Sequence, residues 1–133
     1  MERCPCCNAR LGELASCSRC QTDLTVLNDV EQMAKLWLKK AINYWLDSQV
    51  DKSLDALALS LRLKKTKVAV ALQSYIIHLQ YQNVLELLAQ KQLYLAKQSL
   101  FKMRHLFLYH RQLQQLNLFV DYLLLRHNQE SLR

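Results

Sequence analysis

Glycine and proline are almost missing from this chain. There is one of each, Gly12 and Pro5, and neither type occurs after Thr22. A stretch from Thr22 to Arg133 without a breaker, rich in Leu, Gln, Lys, Ala and Tyr, predicts an all-helical body. The same scarcity leaves no glycine-rich phosphate loop. Neither a nucleophile–base constellation nor a paired-carboxylate motif occurs, so an enzyme is not expected. Also missing is any run of about 18 apolar residues, the least that a transmembrane helix needs. Met1-Glu2-Arg3-Cys4 lacks the apolar stretch of a secretory signal, which points to a cytoplasmic, reducing compartment.

Negative charge is in deficit. Eighteen Lys and Arg against 11 Asp and Glu leave a net +7. Near the start Arg3, Arg10 and Arg19 are balanced by Glu2, Glu13 and Asp23, so the excess lies on the helical part. A basic surface attracts nucleic acid, an anionic membrane face or an acidic protein partner.

What the chain has instead is cysteine, five in all and every one within the first 20 residues. Cys4-Pro5-Cys6-Cys7 and Cys17-Ser18-Arg19-Cys20 each contain a C-x-x-C hook. Two residues between cysteines let a tight turn aim two sulfurs and several backbone N–H groups at one ion, and two such turns facing each other close a tetrahedral shell. The expected ligands are Cys4, Cys7, Cys17 and Cys20, holding one zinc ion as a tetrathiolate. Four cysteines leave no open coordination place for catalysis. Cys6 is left over, and is expected to be a small residue packed at the junction with the helices rather than a reactive thiol. The position after each hook must tolerate the left-handed region. Asn8 and Gln21 stand where glycine is usual. A segment of about 25 residues cannot bury a core of its own, so a metal staple is needed there.

Cys4-Pro5-x-Cys7 followed by Cys17-x-x-Cys20, with Leu11 and Leu14 between the hooks and Leu24 after them, resembles a short zinc ribbon over residues 1–25. That resemblance implies zinc and a docking or recognition role. Rubredoxin-type iron would use the same ligands, but the gap between hooks is much shorter than in rubredoxin and its aromatic packing residues are absent, which favours zinc.

Helices are expected across 28–130. Asn28 caps the first, with Glu31 at the third helical position and an inward face of Val30, Met33, Ala34, Trp37, Ala41, Tyr44 and Trp45. Leu38, Ile42 and Leu46 widen that face, predicting burial on two sides. Asp47-Ser48-Gln49 forms a turn. A second helix from about Asp51 to Leu63 turns Leu54, Leu57, Ala58 and Leu61 inward, and Lys64-Lys65 suits its negative end. Thr66 caps a third through about Ala89, with Val68, Leu72, Tyr75, Ile76 and Leu79 inward. After a turn at Gln90-Lys91-Gln92, a fourth helix carries Leu93, Ala96, Leu100 and Phe107 and breaks near Tyr109-His110. A fifth carries Leu113, Leu116, Val120, Leu123 and Leu124 and frays at Asn128.

Ala41 to Leu61 resembles a tetratricopeptide-type helical hairpin. Small residues stand at Ala41, Ser53 and Ser60, large ones at Tyr44 and Leu57, and a short polar turn lies between. A weaker echo runs from Tyr75 to Met103. The fold expected is mainly α, a small N-terminal zinc ribbon knuckle followed by an antiparallel four- to five-helix TPR-like array. Such arrays bind peptides or protein segments. The function expected is therefore a protein-binding adaptor or assembly factor with an acidic partner. Wide apolar faces on the first and fifth helices also allow a homo-oligomer.

A second reading overlaps the first. Ser53 to Leu72 also resembles a bacterial helix-turn-helix, making the protein a small DNA-binding regulator. Lys64, Lys65, Thr66 and Lys67 would then meet phosphates and groove, with Gln73 facing base edges. Arg62 stands where that tight turn prefers glycine, and Ala69 and Val70 are poor readers, so the hairpin is preferred. A third reading, RNA binding, draws on the basic and aromatic tract Lys102–Arg111, although Met103, Leu106, Phe107 and Tyr109 at helical spacing read as core. His78, His105, His110 and His127 are scattered, with no partner at metal spacing.

Overall fold

Uninterrupted helix formers give five α-helices in the computed structural model, which describes residues 1–133: α1 (Thr25–Leu46), α2 (Val50–Leu63), α3 (Lys67–Ala89), α4 (Leu93–Lys102) and α5 (Arg111–Ser131). There is no β-strand, only two isolated antiparallel bridges in the cysteine region. Two compact units divide the chain, Met1–Val70 and Ala71–Arg133, the boundary falling just after the first turn of α3. No helix is long and apolar enough to cross a membrane.

In the first unit α1 starts at Thr25, earlier than the expected cap at Asn28. Asp23 is the reason. Its carboxylate accepts hydrogen bonds from the Thr25 N–H, at 2.9 Å, and from the Thr25 hydroxyl, so the chain turns into helix directly from the cysteine region. Glu31, expected to close a capping box, serves as a tether instead. It pairs with the Lys64 ammonium and the Met1 amino group, each at 2.8 Å, and with Lys35 at 3.8 Å. Its side chain is only 13% exposed.

Small residues decide how α1 meets α2. Ala34 and Ala41 are seven residues apart on α1, and both are fully buried with Ser60 and Ser53 of α2. The Ser53 hydroxyl donates to the Ala41 carbonyl and the Ser60 hydroxyl to the Ala34 carbonyl, both at 2.8 Å. Only helices in close approach allow a side chain that short to reach a neighbour's backbone. The pairing order makes the hairpin antiparallel. It also supplies partners for both buried hydroxyls, which would otherwise cost about 1–3 kcal/mol each. Leu54 and Leu57 fill the rest of the seam. The expected second buried side of α1 is not found: Ile42 and Leu46 are exposed, as is Met33, because one partner helix covers only one stripe.

Thr66 caps α3 as expected, its hydroxyl accepting the Ala69 N–H at 3.2 Å. Val68 and Tyr75, expected inward, are exposed, while Ala69, Ile76, Ile77 and Val84 are buried. In the second unit α4 stops at Lys102, well before the expected break at Tyr109-His110. Met103 and Leu106 are both buried, and a 3-10 turn over Arg104–Leu106 puts residues three apart on one side. Phe107 therefore lies outside α4. Across the α4–α5 pair, also antiparallel, Lys97 bonds Asn117 and Asp121, each at 2.7 Å, and Tyr94 reaches Asn128 at 3.1 Å. Ala96 and Leu100 of α4 are buried, as are Leu113, Leu116 and Val120 of α5. α5 continues past Asn128 to Ser131, held by the Arg126–Glu130 pair and by the Ser131 hydroxyl on the His127 carbonyl.

Two substitutions test this frame. Ala41→Leu forces α1 and α2 apart and is expected to lower stability by roughly 1–3 kcal/mol in urea unfolding. Lys91→Gly relieves a left-handed residue at φ 59° in the turn between α3 and α4, and is expected to raise stability by about 1 kcal/mol. The Glu31 tether gives a pH dependence. Lys64 and then the Met1 amino group hold the Glu31 carboxyl down from 4.5 to about 2. A depressed acid contributes stability that is whole above its ordinary pKa and is lost as pH falls through the folded value. The stability difference between the natural protein and Glu31→Gln should therefore shrink between about pH 5 and pH 2 in urea titrations.

Candidate metal centre

The cysteine region is one short motif used twice. Cys17 and Cys20 stand thirteen residues after Cys4 and Cys7, and every backbone bond repeats at that offset. The Asn8 N–H returns to the Cys4 carbonyl at 2.9 Å, and the Gln21 N–H to that of Cys17 at 2.8 Å. Cys4 N–H donates to Ala9, and Cys17 N–H to Thr22. Leu11 N–H closes onto Glu2, and Leu24 N–H onto Ala15. Both turns close because the residue after the hook is left-handed, Asn8 at φ 59° and Gln21 at φ 56°. Both positions are those read from the sequence.

Closing the turns converges the sulfurs. Cys4 Sγ lies 3.5 Å from Cys20 Sγ and Cys7 Sγ lies 3.6 Å from Cys17 Sγ. All four ligand atoms fall within 4.8 Å of one another. A tetrahedron with metal–sulfur bonds of about 2.3 Å has edges of about 3.8 Å, so the group has the size of a tetrathiolate shell. The four cysteines can therefore hold a metal ion. Cys4 and Cys17 are buried with Leu24 in a small core, against which Cys7, Ala9 and Leu11 pack. Leu14 is exposed and takes no part in it. Cys6 stands at the apex of the first turn and is exposed, not packed at a junction with the helices as expected.

Hydrogen bonds to the sulfurs already favour negative charge at the second hook. The Thr22 hydroxyl, 3.0 Å from Cys20 Sγ, and then the Thr22 N–H draw the Cys20 thiol down to about 6. Cys17 is lowered by the N–H groups of Cys20 and Arg19. At Cys7 the Ala9 N–H pulls downward, but burial and the thiols of Cys17, Cys20 and Cys4 outweigh it and push the group up to about 12. Crowded thiols share their protons in this way, and a soft cation at the centre would take the protons' place. Thr22 was not foreseen as part of this site. Its signal was in the sequence, as the residue two places after the last cysteine of a repeated motif.

The residues of the helix-turn-helix reading lie between the end of α2 and the middle of α3. Lys64 is engaged with Glu31, and the Thr66 hydroxyl caps α3. Lys65 and Lys67 are exposed, and Gln73 is partly buried further along α3. Of the four histidines, His78 and His110 line one cleft of the second unit, which sequence spacing did not reveal.

No protein-family model, no curated protein and no solved structure matches this chain. The chemistry of the site thus rests on its own geometry. Cobalt(II) added to the reduced, metal-free protein should bind with one equivalent per chain and give the sulfur-to-cobalt charge-transfer band and intense d–d bands of a tetrahedral tetrathiolate. Cys17→Ser and Cys20→Ser should each lose that spectrum, and Cys6→Ser should keep it. Equal loss in all three would remove the assignment of ligands.

Proposed function

We propose that this protein is a non-enzymatic adaptor or assembly factor, in which a zinc-bound ribbon and a TPR-like helical array act as rigid docking faces. Zinc fits better than iron as the resident ion because the site needs only a closed, redox-silent staple for a segment too small to fold by its core alone. A reducing compartment such as the cytoplasm would keep the thiols available to it.

The observation that carries the reading is the apolar surface that the helices leave uncovered among cations. On α1, Met33 and Leu36 are about half exposed and Leu46 is 73% exposed. On α5, Leu118, Phe119, Tyr122 and Leu125 are all more than half exposed. Large apolar side chains grouped on a helix face mark an interaction surface more often than a free one. The +7 charge adds selectivity for an acidic partner. The small residues of the α1–α2 seam fit a tetratricopeptide-type hairpin, and peptide or protein segments are what such arrays take.

A tagged copy exposed to native cell extract, with and without nuclease, tests this. One defined protein should be recovered in both arms, should weaken between about 0.1 and 1 M salt as charge is screened, and should be lost in the Cys17→Ser/Cys20→Ser variant. Partners that vanish with nuclease would reject the adaptor reading.

A further inference from the structure

The second unit holds a cleft between a face of α3 and the start of α5. One wall is a face of α3 with Ile77, His78 and Tyr81, and the other is the approach to α5 with Tyr109, His110 and Arg111. The cleft is an open groove of 560 Å³, within the range of about 300–1,000 Å³ usual for small-ligand sites. Ile77 and Leu113 line it and are buried, which supplies an apolar floor.

Its lining is polar and cationic or aromatic around that floor, with Ser74 and Gln112 at its edges. Two histidines, an arginine and two tyrosines line it, and no carboxylate does. None of these five side chains makes a hydrogen bond or ion pair within the protein. In particular His110 stands at the N-cap of α5 yet gives that helix no capping bond. His78, Tyr109 and Arg111 are exposed, so these groups are open to a molecule entering the cleft.

We propose that this cleft binds a nucleoside phosphate, either free or as part of a single strand. Tyr81 and Tyr109 offer aromatic faces for a base, an interaction that tolerates any base because each has a π-face. The apolar floor excludes water beneath the stacked ring. Arg111 carries a permanent planar charge that matches two phosphate oxygens, and the imidazoles of His78 and His110 add N–H donors beside it. With no carboxylate in the lining, an anion meets no repulsion there. An acidic peptide would satisfy the cations but leave both aromatic faces without a flat partner, so the nucleotide fits more of the lining. This site is separate from the cysteine cluster and does not depend on the adaptor reading.

The full-length protein, metal-loaded, is titrated against fluorescein-labelled rU8 at low salt and read by fluorescence anisotropy, with AMP as competitor. Binding is expected, and Tyr109→Ala and Arg111→Gln should each weaken it by about fivefold or more, the size of one lost base stack. Tyr109 is 80% exposed, so its removal leaves the fold intact, and circular dichroism checks both variants. Displacement of rU8 by AMP assigns the site to the free nucleotide, and retention assigns it to the strand. Three results would overturn the proposal: no binding of either probe, loss of rU8 binding in Lys65→Gln/Lys67→Gln but not in the cleft variants, or binding of a labelled polyglutamate peptide that the cleft variants abolish while rU8 does not bind.

Discussion

Four residues other than glycine sit in the left-handed region, and the structure turns on them. Asn8, Gln21, Ser48 and Lys91 have φ between 56° and 59°, while the one glycine has no positive φ. Each marks a reversal of the chain: the two cysteine turns, the link from α1 to α2, and the link from α3 to α4. An L-residue held there gives up roughly 1–2 kcal/mol relative to its helical basin. That cost persists only where surrounding interactions outweigh it. At Ser48 it is the packing of α1 on α2, and at Lys91 the backbone bonds that close the turn, Lys91 N–H to Leu88 and Gln92 N–H to Leu87. At Asn8 and Gln21 they are the repeated backbone bonds and the sulfur cluster that the turns create.

The two halves of the first unit solve the problem of a small core in different ways. The α1–α2 hairpin uses shape, with alanine and serine at the seam so that backbones approach closely and buried hydroxyls find carbonyls. The cysteine region has too few apolar side chains for that, and its core is Leu24 with two of the sulfurs. An ion held by the four sulfurs would supply the rigidity that so small a core lacks. Asp23 joins the two: its backbone bridges to Ser16 in the cysteine region, and its carboxylate receives Thr25 at the start of α1.

The second unit divides its labour along α5. Its first turn opens on the cleft with His110 and Arg111, its inner stripe packs through Leu113, Leu116 and Val120, and its outer stripe shows Leu118, Phe119, Tyr122 and Leu125 to solvent. One helix thus serves a polar site, a core and an apolar surface, which its 21 residues allow because these lie at different angles and heights. The docking reading and the nucleotide reading occupy different stretches of it.

Much of this was legible in the chain itself. The cysteine spacing picked out the four cysteines whose sulfurs converge, and the scarcity of breakers implied helices. Asn8 and Gln21 were identifiable as left-handed because a C-x-x-C turn requires that conformation whatever residue supplies it. Turns at Ser48 and Lys91 and the cap at Thr66 followed from local chemistry, which depends on residues only a few places apart. The start of α1, the end of α4, the exposure of Ile42, Leu46, Val68 and Tyr75, the Glu31 tether and the cleft at His78 and His110 did not follow. Each depends on which surfaces meet, and a helix with apolar residues most of the way round carries no mark saying which stripe a neighbour will cover. Sequence determined the local turns and which cysteines converge, and tertiary packing decided the faces, because burial is a property of pairs of elements and not of either one.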